Sequence, residues 1–223
     1  MIYRFKLIFL LLFLLAVSGC RSIPFKDIDY VALNDVNPDN LRLEFKTLLA
    51  QKLEVINSIV FEYKWHSFSA LGYTRLDLEN NTFEVSCINP VGIKLFELTG
   101  NRNEVKPTFV LKELLQRGDL PRAVGEDIRR IYFDLVPTAQ AKIKKEKYRI
   151  IFSQPSGSGQ MEYIFAGPQH WLIEKHYSEK KRKLWSVFYY DYLLDKGRLY
   201  PQNMILKHNY FGYNLIIRLK EVR

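Results

Sequence analysis

Cysteine is scarce in this chain: two thiols, Cys20 and Cys87, in 223 residues. A disulfide framework is therefore excluded, and stability must come from packing. Long apolar runs are missing as well. The longest is residues 7–17, which as a helix rises about 16 Å, roughly half of a bilayer's hydrocarbon core, so no transmembrane helix is expected. The phosphate-cradling patterns GxxxxGK[ST] and GxGxxG are absent, and so is the GxSxG nucleophile elbow. The Gly-rich loop at 155–159 lies between strands rather than before a helix and reads as a hairpin loop. His66, His170, His176 and His208 show neither HxH nor HxxxH spacing. No catalytic residue, metal ligand or cofactor site is thus proposed by spacing, and no enzyme is expected.

What is present points to one folded domain. Hydrophobic residues make up 48% of the chain and aromatics 14%, enough for a substantial core and too apolar for disorder. Lys and Arg number 33 against 24 Asp and Glu, a net charge of +9, which ordinarily raises nucleic acid as a partner. The N-terminus redirects that reading. Arg4 and Lys6 precede the apolar run, which ends in Leu15-Ala16-Val17-Ser18-Gly19-Cys20. This is a signal peptide in form, and its end resembles the bacterial lipobox. The resemblance implies cleavage before Cys20, diacylglycerol on its thiol and an acyl chain on the new amine. One acyl chain anchors marginally, whereas two or three hold firmly. Arg21 follows the cysteine, where aspartate would be the usual inner-membrane retention signal. The expected location is therefore the outer membrane, lipid-anchored and facing the periplasm, where no nucleic acid is available. Losing residues 1–19 removes Arg4 and Lys6 and lowers the charge to +7. Cys87 is then unpaired and, on the apolar face of a strand, reads as core.

The expected organisation is a removed signal (1–19), a lipidated N-terminus and tether (20–38) and one domain (39–223). Asn37-Pro38-Asp39 is a helix start, with Asn37 as cap and Pro38 in the first turn. Leu41, Phe45, Leu48, Leu49, Ile56 and Ile59 recur at helical spacing behind it, predicting some twenty residues of helix. Strands are expected at 59–65, 68–78, 82–88 and 93–99, and the pattern at 108–117 fits either a strand end or a short helix. A second helix begins near Asp119-Leu120-Pro121 and stops before Pro137, with Gly125 inside it as a weakening feature. Strands return around Tyr148, Ile150 and Phe152, at Met161, Tyr163 and Phe165, and at 171–177, 184–194, 204–207 and 213–222. Short turns between sequential strands imply an antiparallel meander. The fold class is therefore mainly β with α: a strongly curved antiparallel sheet, an unclosed β-barrel, with a lid of two to three helices. The basic runs Lys142, Lys144, Lys145, Lys147 and Lys180, Lys181, Arg182, Lys183 read either as solvated turns or as contacts to an anionic membrane or acidic partner.

Three features in order resemble the LolB family of outer-membrane lipoprotein receptors: the lipobox with Arg21, the turn Asn89-Pro90-Val91-Gly92 between apolar strands, and the closing Pro201-Gln202-Asn203-Met204-Ile205-Leu206 before a last strand. The resemblance implies an unclosed barrel around a hydrophobic cavity that accepts lipidated proteins from a soluble carrier of LolA type and passes them to the outer membrane without nucleotide. Two or three acyl chains hold on the order of 30 to 45 methylenes. At ~0.8 kcal/mol each, exposure to water lies tens of kcal/mol uphill, so transfer has to run from cavity to bilayer. Phe83, Val85, Tyr148, Ile150, Phe152, Met161, Tyr163, Phe165, Leu215 and Ile217 would line the acyl-chain site. Val91, flanked by Pro90 and Gly92, would be a membrane-insertion tip, where the family carries leucine. The same apolar stripes also suit a filled core. The rival expectations are a non-catalytic envelope lipoprotein serving as a structural or interaction module, and an envelope hydrolase without a sequence signature. Cys20→Ala is expected to release the protein from the membrane pellet into the soluble periplasmic fraction; a variant that still pellets with membranes would place the anchor elsewhere.

Overall fold

The computed structural model describes residues 25–116 and 118–223; the expected signal peptide, the lipobox-like segment and Cys20 lie outside them. Helix α1 (Pro38–Leu48) starts as the sequence predicts. The Asn37 side-chain oxygen accepts the amides of Asp39 at 2.9 Å and Asn40 at 3.1 Å. It ends eleven residues later, not twenty. Leu53, Val55 and Asn57 alternate inward on strand β1 (Lys52–Tyr63), and the β-branched run Val55–Val60 pairs with β12. The helical spacing of Ile56 and Ile59 was a coincidence of phase, and β-branching together with a partner strand outweighs it.

The chain continues as β2 (His66–Asp77), β3 (Thr82–Ile88), β4 (Lys94–Gly100) and β5 (Val105–Val110), then a single helical turn α2 (Lys112–Leu115) and helix α3 (Leu120–Tyr132). The undecided stretch at 108–117 thus holds both a strand end and a short helix. Seven more strands follow: β6 (Lys142–Glu146), β7 (Arg149–Ser156), β8 (Gly159–Ala166), β9 (Trp171–Glu179), β10 (Arg182–Asp195), β11 (Arg198–His208) and β12 (Tyr213–Val222).

All twelve strands form one antiparallel sheet in the order β5-β4-β3-β2-β1-β12-β11-β10-β9-β8-β7-β6. Two meanders therefore meet where the first and last strands pair, Ile59 opposite Ile217. A twisted sheet of this width curls, and its two edges, β5 and β6, remain unpaired with each other. Both edges resist further pairing. Strand β5 carries Lys106 and Pro107, and β6 carries exposed Lys142, Lys144 and Lys145. Charge and proline on an edge discourage another strand from adding, which accounts for the first basic run. The second run is the β9–β10 turn, where Lys180 and Lys181 both take positive φ.

Residues 111–141 have to carry the chain from one sheet edge to the other, and they cross the concave face. Helix α3 is the buried part of that crossing, with Gly125, Ile128, Ile131 and Tyr132 turned inward. Asp119 caps it by accepting the Arg122 amide at 3.2 Å. Helix α1 covers another part of the same face, Phe45 meeting Phe165 edge-on at 5.3 Å and Tyr192 at 6.2 Å. The expected tether is a partial correction. Leu33 is fully buried, its amide donates to Lys147 O at 2.8 Å, and Lys145 Nζ donates to Asn34 O and Val36 O. Isolated apolar residues in an extended segment have no period, so their docking leaves no pattern in the sequence.

Gly125 has a packing role. A Cβ there would collide with Val105 on β5. Alanine normally improves a helix by up to about 1 kcal/mol over glycine, yet Gly125→Ala is expected to lower unfolding free energy by about 1–3 kcal/mol through overpacking. Urea denaturation checks the sign, and Val105→Ala in the same chain should recover most of the loss.

Candidate functional site

Seven of the ten residues expected at an acyl-chain site come together on the concave face. Phe83, Val85, Ile150, Phe152, Tyr163, Phe165 and Ile217 are all nearly fully buried in one continuous apolar cluster. Met161 and Leu215 pack against its margin. Tyr148 does not join it: strand β7 begins only at Arg149, and Tyr148 sits in the β6–β7 turn, 44% exposed, with Lys147 Nζ over its ring at 4.9 Å. Its phase along the chain is right, but it lies beyond the end of the sheet, where nothing covers it. Cys87 shares the interior, and burial pushes its thiol up to about 12, which makes it unreactive.

Over this cluster lies α3, held by polar contacts gathered along its C-terminal half. The Tyr213 hydroxyl bonds both oxygens of buried Asp127 at 2.8 and 2.7 Å, and Arg130, one residue short of a turn further on, pairs with Asp127 at 2.7 Å. Burial raises the Asp127 carboxyl above its usual range, against the lowering effect of those two partners. Arg129 donates to Asn101 O and Glu104 O of the β4–β5 turn, at 2.7 and 2.8 Å. At the C-terminal end Tyr189 donates to Ile131 O at 2.8 Å, and Lys175 Nζ to Phe133 O at 2.7 Å. Arg102 forks onto Asp134 just beyond, with both nitrogens within 2.9 Å.

Lys175 is the least expected of these. It stands on the concave face of β9, 1% exposed, with its ammonium 5.9 Å from the Trp185 ring. Burial drives its pKa down to about 7, only partly opposed by Asp134. The helix C-terminus offers the partial negative charge that a buried cation requires. A lysine in the alternation of β9 looks like a surface residue in sequence, and nothing in spacing distinguishes it. The opposite face of β9 carries His176 between Glu162 at 2.7 Å and Glu174 at 3.1 Å. Burial alone would raise Glu174, but hydrogen bonds from His176 and Lys183 outweigh it and hold the carboxyl near about 2. Among the described residues, no three His, Cys, Asp or Glu side chains are arranged to hold a metal ion.

The predicted tip is built as a rigid turn. The Asn89 side-chain oxygen accepts the amides of Val91 at 3.1 Å and Ile93 at 2.9 Å, Gly92 bonds back to Asn89 O, and Gly92 takes φ 87°. Val91 is held outward, 80% exposed. The asparagine and glycine do the folding here, and the valine is left unused by it. Two open clefts also occur on the surface. One of about 440 Å³ lies beside Arg75, Glu84, Glu104 and Lys106, and one of about 260 Å³ lies between α1 and the β8–β9 turn. The first is lined about equally by polar and apolar surface and the second mainly by polar surface; both lie away from the bulk of the buried cluster, from which Phe83 and Phe45 respectively reach them.

Comparison with solved structures recovers this architecture. The chain superposes on a LolA superfamily protein from Nitrosomonas europaea with a TM-score of 0.56 at 9% identity, over 84% of this chain and 93% of that one. A putative outer membrane lipoprotein-sorting protein domain from Vibrio parahaemolyticus gives a TM-score of 0.48 at 10% identity, over 83% and 89%. No protein-family profile matches the chain, and no curated protein matches it. The first of these superpositions shows that the fold is LolA-like.

The depressed Lys175 pKa has a measurable consequence. Between about 7 and the ordinary lysine value the unfolded chain binds a proton that the folded chain does not, so this group makes stability rise with pH across that window. Lys175→Met should flatten the rise, and urea midpoints compared at pH 6.5 and pH 9.5 for the two proteins provide the check. Parallel pH profiles would mean that Lys175 stays charged when buried.

Proposed function

We propose that this chain is a LolB-like, lipid-anchored acceptor of acylated proteins, held by Cys20 in the outer membrane and facing the periplasm. It takes the acyl chains of lipidated proteins, or lipids, from a soluble LolA-type carrier into the space between sheet and α3 and helps insert them in the membrane. The observation that carries this reading is the construction of the concave face: an aromatic-rich apolar surface closed by one helix that is fastened through a few polar contacts. Apolar packing alone would make α3 a permanent part of the core. Polar latches along its C-terminal half give it defined points of release, with the apolar surface beneath it available to acyl chains once it lifts.

No chemistry is required of the protein in this scheme. Its part is to keep methylenes out of water and to bring them to a bilayer, so neither nucleotide nor cofactor enters, and no catalytic residue is assigned. Cys20 carries diacylglycerol and an N-linked acyl chain as its anchor. Val91 supplies the apolar point at which the protein touches lipid, with Pro90 and Gly92 fixing the turn around it. Valine presents less surface than the leucine of the LolB pattern, so a weaker insertion effect is expected from it.

The near-complete burial of seven of the ten site residues favours a second reading, in which the interior is a filled core and the protein is a non-catalytic interaction module of an outer-membrane assembly. Mass spectrometry of the purified protein separates the two, because the acceptor should carry acyl lipid or acylated protein and the module should carry none. For delivery, Val91→Glu is expected to leave cargo binding intact and slow transfer into liposomes severalfold. Unchanged transfer would return Val91 to the role of an ordinary turn residue.

A further inference from the structure

The end of the sheet that holds the Val91 turn displays much more apolar surface than that turn. Strand register brings five hairpin turns to this end, the β7–β8 turn among them. Tyr63 pairs with both His66 and Tyr213, His208 with Tyr213 and Trp185, and Ile88 with Leu71 and Lys94, while Arg182 pairs with Glu179. Trp65, at the tip of the β1–β2 turn, is 94% exposed; Tyr210 and Phe211, on the β11–β12 turn, are 61% and 59% exposed. Tyr63 and Tyr213 are direct partners, so these two turns stand side by side. Strand β2 also runs past the end of β3, with His66 to Ala70 lying beyond its last partner, so the ribbon carrying Trp65 projects.

Folding does not ask for aromatics at these positions. Lys64 at φ 53° and Gly212 at φ 72° are the residues that turn the chain. The β11–β12 turn is nonetheless fixed firmly. The Tyr210 amide donates to Leu184 O, the Asn209 side chain to Lys183 O, and the Phe211 amide to His208 Nδ1. The Tyr210 and Phe211 rings meet edge-on at 4.9 Å, and Phe211 packs on His208 at 4.7 Å. Rigid display of exposed aromatic rings on turn tips marks a contact surface.

The charge around the rings identifies what it contacts. Lys64 adjoins Trp65, and Lys180, Lys181 and Arg182 are at the β9–β10 hairpin end, just before the Lys183 and Leu184 carbonyls that take the Asn209 side chain and the Tyr210 amide; all four cations are exposed. Glu179 in that turn is already bonded by the Tyr177 and Ser158 hydroxyls. Tryptophan and tyrosine settle at the headgroup level of a bilayer, and clustered lysines there favour anionic lipid. A flat protein partner has no such need for amphipathic rings on projecting tips. Chain length is compatible. Phe25 packs beside Arg218, which is five positions along β12 from Tyr213, or about 17 Å. Cys20 precedes Phe25 by five residues, which span at most about 18 Å.

We propose that this end of the sheet seats on an anionic bilayer surface through Trp65 and the Tyr210–Phe211 pair, with Lys64, Lys180, Lys181 and Arg182 supplying the electrostatic contact and Val91 dipping beside them. The proposal deepens the membrane side of the acceptor reading and requires nothing of the interior. The test uses the full chain reconstituted into phosphatidylethanolamine–phosphatidylglycerol vesicles whose acyl chains carry bromine, which quenches tryptophan at the interface. A quenched, blue-shifted component of the emission is expected, absent in Trp65→Phe, since Trp185 is buried and Trp171 is partly covered. Joint replacement Lys180→Glu and Lys181→Glu should reduce that quenching at least twofold. Trp65 emission that stays unquenched and at the water-exposed wavelength overturns the proposal. So does a lipid-free blue shift growing with protein concentration, which would assign the face to a second copy. Acyl cargo measured in the same samples keeps the two ideas apart: unquenched Trp65 with cargo bound removes only the docking face, and quenched Trp65 without cargo removes only the carrier role.

Discussion

A meander of five strands and another of seven are joined at their first and last members, and this leaves the consecutive strands β5 and β6 at opposite edges of one sheet. The rest of the architecture follows from that separation. The connecting residues have to cross an open concavity lined with aromatic and aliphatic side chains, and they bury an amphipathic helix on the way. Gly125 lets the helix approach β5, Asp119 starts it, and the orphan carbonyls at its C-terminal end, those of Ile131 and Phe133, are satisfied from the sheet by Tyr189 and Lys175. A cover made in this way is part of the core and also a segment whose polar attachments gather in its C-terminal half.

That dual character explains the polar groups found where an ordinary core would have none. A buried ammonium is costly unless well paired, and a packed β protein could place leucine at position 175. The lysine instead holds the helix terminus by one charge-assisted bond, whose strength depends on protonation. Asp127, Arg130 and Tyr213 form a comparable group about one turn earlier on the same helix. These contacts define where the helix sits without adding apolar area, so closure is specified in geometry more than in hydrophobic free energy. The two ends of the sheet differ in the same functional sense. One displays Trp65, Tyr210, Phe211 and Val91 among lysines, and the other carries the cleft with Glu84, Glu104 and Arg75.

Much of the fold was legible because strand alternation and cap chemistry are local. The limits of β3 and β12, the cap at Asn37 and the helix start near Asp119 were readable residue by residue. The overlong first helix shows the limit of periodicity: Ile56 and Ile59 fit a helical stripe three residues apart, whereas the strand turns Leu53, Val55 and Asn57 inward, and only the pairing of β1 with β2 and β12 decides between them. The docking of residues 25–37 and strand β6, whose lysines read as a solvated turn, were hidden for a related reason. Both depend on distant partners, Lys147 and Lys145 for the former and β7 for the latter.

The candidate site divides along the same line. The apolar stripes that compose it were set by the sequence, since alternate residues of a strand share a face whatever the strand pairs with. So was the projecting turn at Asn89 to Gly92, through side-chain capping and a glycine. Which stripes face one another, which helix lies over them, and that Lys175 points inward while Tyr148 falls outside were decided only by the tertiary structure. Those outcomes depend on register across strands more than a hundred residues apart, as where β1 meets β12, and on the path of one connection between two sheet edges. Local propensity carries no information about either.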